Sequence, residues 1–210
     1  MSMPFIDTLA MEHLPQETRE MYARQQAHFG YLPNYATVFC YRPDVMASWA
    51  ALLASIRRHV SPRRFELATL AAAQTLGNSY CALAHGRALA SLVSPDVVLD
   101  IAEGREPSGL TDEERAILPF ACQVARDATQ ITQDDIDRLR HAGLDDAAIF
   151  DIVAVTAARA FFTKVLDGLG VQADSAFADM DAGLRQALTV GRPIERPAEA
   201  HPPAWRVDME

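Results

Sequence analysis

The residues of this chain that could do chemistry gather in one short stretch. Cys81 and His85 are four positions apart, and Glu66 precedes Cys81 with fourteen residues between them. Side chains four apart on a helix share a face, one turn from each other. A thiol, an imidazole and a carboxylate in reach of one another are the parts of an activated nucleophile. The imidazole takes the thiol proton, and the carboxylate orients the ring or relays the proton. Just before Cys81, Gly77-Asn78-Ser79-Tyr80 reads as a helix stop followed by a new helix start. With Asn78 as N-cap, Cys81 falls in the first turn, where the helix dipole is expected to favour a thiolate and lower the thiol pKa. Spacing alone leaves a plainer reading open. A Cys in an apolar helix is commonly a small hydrophobe, and a His on an alanine-rich helix is commonly a hydrogen-bonded core residue.

The elements that must position these residues read as helix after helix. A first helix is expected over 16–29, ended by Gly30, and a second over 44–59, after Arg42-Pro43. Ser61-Pro62 supplies an N-cap and a Pro at the first helical position for a helix over 62–76, which Gly77 closes. It folds back onto the next helix, over 79–92, and so brings Glu66 toward His85. Ser94-Pro95 opens a short helix closed by Gly104. Thr111 with Glu114 and Thr132 with Asp135 read as capping boxes for two more, the second ending at Gly143. The stretch 145–169 carries Ile149, Ile152, Val153, Val155, Phe161, Phe162 and Val165, and is expected to be buried on most sides. A last helix is expected over 173–188. The chain thus reads as one all-α domain over 1–190. A Pro-rich tail over 191–210 is expected to be disordered or laid along a neighbouring surface, with Trp205 as a pin.

Composition sets the outer limits. Of 210 residues, 50% are hydrophobic, which supplies a sizeable core dominated by alanine and leucine. That balance favours packed helices over sheets. The formal charge of −9 and the lack of a basic stripe argue against nucleic acid as a partner. The run Arg57, Arg58, His59, Arg63, Arg64 reads as a solvated helix end. No apolar run approaches the roughly 20 residues that span a bilayer, so no membrane association is expected. The first residues carry Asp7 and lack the basic start of a signal peptide, which points to the cytoplasm. Three cysteines form no disulfide framework, and Cys40 and Cys122 sit in apolar surroundings that read as core. Either could resolve an oxidised Cys81 only with its Cα within about 7 Å. There is no zinc pattern and no Gly-rich phosphate loop, so neither metal nor cofactor is expected. Asp134, Asp135 and Asp137 read as first-turn helix acids.

The Glu66, Cys81, His85 spacing resembles the signature of the alkylhydroperoxidase D-like, or carboxymuconolactone decarboxylase, family. The setting Asn78-x-x-Cys81-x-x-Ala84-His85, followed by Leu89, resembles its peroxidase-related branch. Gly30-Tyr31-Leu32-Pro33-Asn34 is similar to the family's Gly-x-x-Pro-Asn turn. The segments 131–144 and 161–171 are similar to its second-half helix pair and closing segment. The resemblance implies the family's helical bundle and a homo-oligomer (dimer, trimer or hexamer). In the family the motif usually holds two cysteines. The second attacks the peroxide, the first resolves it as a disulfide, and the glutamate and histidine relay protons. Here Asn78 replaces the resolving cysteine, and Tyr80 stands where some members have a second histidine.

Two functions of different class follow. The first is a peroxidase-related, peroxiredoxin-type antioxidant oxidoreductase. Cys81 would attack a small hydroperoxide and become a sulfenic acid, served by Glu66 and His85 and regenerated by an external thiol. The second is cofactor-free acid–base chemistry of the decarboxylase type on a small lactone or carboxylate. A non-catalytic assembly protein is the remaining alternative.

Overall fold

The computed structural model describes residues 4–196, and among them every regular element is a helix. In chain order the α-helices are α1 (Gln16–Phe29), α2 (Asn34–Val38), α3 (Pro43–Arg57), α4 (Pro62–Thr75) and α5 (Ser79–Ala90). They continue as α6 (Pro95–Ala102), α7 (Asp112–Asp127), α8 (Gln133–His141), α9 (Asp146–Gly168) and α10 (Ala182–Leu188). The expected stop and start signals act where the sequence puts them. The Ser61 side chain accepts from Arg64 N at the start of α4, a full capping box stands at Thr111/Glu114, and at Thr132 the Asp135 carboxylate accepts from both the backbone N and the hydroxyl, each at 2.7 Å.

Helix α4 is the centre of the bundle, with α5, α7 and α9 packed around it. Every residue from Phe65 to Ala73 is buried. Ala68, Ala71, Ala72 and Ala73 let neighbours approach closely, while Leu67 and Leu70 are fully buried. Burying each leucine contributes on the order of 2 kcal/mol, more than the helix could gain from propensity alone. Helix α3 docks on α9 through aromatic faces. Trp49 stacks on Phe162 at 4.2 Å between ring centroids and donates its indole N–H to the Ala158 carbonyl at 3.1 Å. Helix α10 packs against α5 at Gly86, where an added Cβ would lie 2.4 Å from Leu188 Cδ1. Any larger residue next to His85 would have to push the buried Leu188 side chain aside.

Three sequence expectations need correction, and the start of the tail can be placed. Helix α9 is not buried on most sides: Phe150 is 70% exposed, and Val153 and Phe161 also face outward. Its core face is a single stripe through Ile149, Ile152, Val155, Arg159, Phe162 and Leu166. The expected last helix is broken. A 3-10 turn over Ser175–Asp179 ends at Met180, and Asp181 caps a fresh start for α10 by accepting from Leu184 N at 3.0 Å. The basic run is not simply solvated. Arg63 pairs with Glu114 at 2.7 Å, Arg64 pairs with Glu113, and Arg57 lies over the Phe65 ring at 4.8 Å. The first residues of the tail lie on their own chain. Gly191 N donates to Ser79 Oγ at 2.8 Å and Glu195 N donates to the Ala173 carbonyl at 2.8 Å. The rest of the tail, with Trp205, falls outside the described residues.

Candidate active site

The site is built on the turn between α4 and α5. Gly77, at φ 71, ends α4 in the left-handed region, which only glycine enters without strain. Asn78 is extended and caps α5, its Oδ1 accepting from Cys81 N at 2.8 Å. Cys81 therefore sits in the first turn, as its spacing from the cap requires, and Asn78 is itself buried beneath it. The residue in place of a second cysteine thus satisfies a donor that the helix start leaves open.

Glu66 on α4 and His85 on α5 meet across the helix pair. His85 Nδ1 lies 2.6 Å from Glu66 Oε2, while Arg57 stands 3.7 Å from the other carboxylate oxygen. Burial, and after it the charge of Arg159, drives the His85 pKa down to about 4 against the opposing pull of Glu66. The ring is therefore neutral at pH 7. A carboxylate can only accept, so Nδ1 carries the proton that Glu66 receives, and Nε2 is left as a base. The His85 side chain retains 18% exposure, so the base is not sealed off.

Cys81 departs from its expectation. Burial pushes its thiol pKa up, and the charge and hydrogen bond of Arg159 oppose that rise, while Asp167 adds to it. A helix dipole acting alone would lower the pKa. The side chain is shut away from water, and withdrawing a charge from solvent outweighs a partial dipole. Arg159 is the residue the motif does not contain. It is 3% exposed on α9, and its Nη1 lies 3.5 Å from Cys81 Sγ. The sequence holds one signal of it: Arg159 is the single charge between Asp151 and Lys164 in an otherwise apolar helix.

Tyr80 faces another way. Its hydroxyl donates to Asp174, which also accepts from Tyr31 Oη at 3.2 Å and from Asn34 N at 2.7 Å. Burial raises the Asp174 pKa, and the Tyr80, Asn34 and Tyr31 hydrogen bonds oppose it. This cluster ties the Tyr31–Asn34 turn and the segment after α9 to the start of α5. Tyr80 thus anchors the start of α5 through Asp174. Cys40 is buried, Cys122 is packed on α4 with its Sγ 3.9 Å from the Ala71 carbonyl, and all three thiols are free. An open apolar groove of about 530 Å³ runs between α3 and α9, lined among others by Val45, Trp49, Leu52 and Phe161. Among the described residues no cluster of His, Cys, Asp and Glu could hold a metal ion, and no helix is long and apolar enough to cross a membrane.

Comparison with solved structures places this fold among known ones. An alkylhydroperoxidase AhpD core, described as an uncharacterized peroxidase-related protein from Ralstonia eutropha, superposes with a TM-score of 0.75 at 21% identity, covering 91% of this chain and 100% of that one. An uncharacterized peroxidase-related protein from Silicibacter sp. gives 0.73 at 20% identity, over 86% of this chain and 96% of its own. The debrominase Bmp8, also solved as a Cys-to-Ala variant with 2,3,4-tribromopyrrole, gives 0.65 at 19% identity, over 86% and 94%. At such identities the likeness shows the fold. No curated protein matches the chain. The family model for the carboxymuconolactone decarboxylase family matches residues 43–123, from the first residue of α3 into α7. Glu66, Cys81 and His85 all lie inside that match, so the stretch that carries the candidate site is similar to the carboxymuconolactone decarboxylase family, and the whole described fold is that of the alkylhydroperoxidase D-like structures.

Proposed function

We propose that the chain is a peroxidase-related thiol oxidoreductase in which Cys81 is the nucleophile, His85 its base and Glu66 the group that orients the base. The observation that carries this reading is the 2.6 Å Glu66–His85 contact, one helical turn from Cys81. It orients the imidazole, which burial keeps neutral, and leaves Nε2 to take a proton. His85 removes the Cys81 proton, and the thiolate attacks one peroxide oxygen. An S–O bond forms and the O–O bond breaks. The departing alkoxide takes the proton back from His85 and leaves as the alcohol. Sulfur is oxidised by two electrons and the peroxide is reduced by two. Two equivalents of an external thiol then return Cys81 to the thiol, releasing water and a disulfide. The external reductant is needed because Asn78 stands where a resolving cysteine would.

The experiment is hydroperoxide consumption with a small-molecule thiol as reductant. Cys81→Ser should abolish it. A second reading, acid–base chemistry on a small lactone or carboxylate, draws on one observation: the Glu66–His85 pair is complete without the thiol. Under that reading, turnover of such a substrate survives Cys81→Ser and is lost in His85→Gln. The chain is further proposed to act as a homo-oligomer in the cytoplasm, without a resident cofactor.

A further inference from the structure

The charge beside Cys81 has no ordinary explanation in the fold. Arg159 is 3% exposed, and a guanidinium does not give up its proton in a protein. A buried cation normally faces a carboxylate. Among the described residues, no carboxylate lies within ion-pair distance of Arg159. Its Nε is buried without a hydrogen-bond partner. Its guanidinium sits 5.5 Å from the Trp49 ring centre and 5.6 Å from that of Phe162. The aromatic faces hold the group in place and supply no counter-charge comparable to a carboxylate. Its polar side-chain contact is Cys81 Sγ, at 3.5 Å.

We propose that Arg159 is the counter-ion of the Cys81 thiolate, a positioning residue that stabilises the charge left on sulfur when His85 takes the proton. This rests on the reading of Cys81 as the nucleophile. The step balances without any added reagent: the S–H bond breaks, the proton passes to His85 Nε2, and the electron pair stays on Sγ beside Arg159. The same cation repels a proton from His85 in the resting state. Glu66, on the far side of the ring, compensates once the imidazole is charged. The charged groups acting on the thiol are Arg159 and Asp167, both on α9, and those acting on His85 are Arg159, Glu66 on α4 and Arg57 on α3. Arg159 is the cation among them that reaches sulfur. It lies outside the stretch matched by the family model, so a comparison confined to that stretch would miss it.

The test is the pH profile of Cys81 alkylation by iodoacetamide, read on the Cys81 peptide by mass spectrometry. No peroxide is involved. Arg159→Met keeps apolar contact with Trp49 and Phe162 and removes the charge. It should move the apparent Cys81 pKa upward enough to cut the thiolate fraction at pH 7 by about tenfold or more. Arg159→Lys should recover most of that loss. If Arg159→Met does not fold, Arg159→Gln reads the same loss of charge with a side chain that still donates hydrogen bonds. A folded, charge-free variant with the wild-type profile would overturn the proposal. An Arg159-dependent profile in a protein whose Cys81 ignores hydroperoxides would uphold the counter-ion and sink the peroxidase reading instead.

Discussion

His85 Nδ1 lies 2.6 Å from Glu66 Oε2, between two helices joined by a turn of three residues, Leu76-Gly77-Asn78. One contact therefore sets the ring's tautomer, its orientation and the placement of its free nitrogen. Glu66→Gln offers the ring an amide that can donate as well as accept, so the tautomer is no longer fixed. The variant should stay folded and oxidise Cys81 about 100-fold more slowly, the lower range for a lost proton-transfer arrangement. Stopped-flow oxidation with a single equivalent of hydroperoxide measures it. A wild-type rate would mean that Glu66 does not serve the base.

The buried imidazole also makes stability depend on pH. Its pKa falls from 6.5 in the unfolded chain to about 4 in the folded one. Above 6.5 both states are neutral and the contribution is fully present. Between 6.5 and 4 the unfolded chain takes up a proton that the folded protein refuses, so stability falls as pH falls. Below about 4 the loss is complete, at roughly 3 kcal/mol from this one group. Urea unfolding at pH 7 and pH 4.5 should show a steeper loss for wild type than for His85→Gln. Equal losses would show that the ring is not held neutral.

Asn78→Cys tests the geometry of the turn. The Asn78 side chain now caps Cys81 N, and substituting it should cost about 1 kcal/mol of stability. A cysteine at the N-cap, three residues before another in the first turn, has the geometry of a redox Cys-x-x-Cys pair. Peroxide should therefore drive a disulfide to Cys81 that dithiols reduce. Two free thiols persisting while Cys81 still oxidises would show that this position does not occupy the resolving site.

The outward apolar residues of α3 and α9 give the expected oligomer a physical basis. Leu52 is 53% exposed and Phe161 is 43% exposed, on either side of the apolar groove. Sedimentation equilibrium at micromolar concentration should return a multiple of the 23.0 kDa chain. Phe161→Glu, which places a charge on that face, should shift the population toward the single chain. A wild-type mass of 23.0 kDa would contradict the assembly.

Local signals are the readable part of this molecule. Ser61, Thr111 and Thr132 cap helices where their neighbours say they should, because a cap is decided within four residues. The pairing of Glu66 with His85 is readable for a related reason: one short turn makes α4 and α5 antiparallel neighbours. The environment of Cys81 is not readable. Arg159 comes from 78 residues further along the chain, and burial depends on how the surrounding helices close over one sulfur. The break at Asp181 has a local signal too, an acid positioned to cap Leu184, but hydrophobic periodicity across 173–188 hides it. Periodicity likewise marks α9 as strongly apolar without revealing that Phe150 and Phe161 turn outward.

Cys81 as the nucleophile is tested most directly by finding which sulfur reacts. One equivalent of hydroperoxide, followed by a sulfenic-acid trap and peptide mass spectrometry, answers that. The trap should label Cys81 and leave Cys40 and Cys122 unlabelled, and His85→Gln should slow the labelling by about 100-fold. Labelling confined to Cys40 or Cys122, or peroxide consumption that Cys81→Ser leaves unchanged, would contradict Cys81 as the nucleophile.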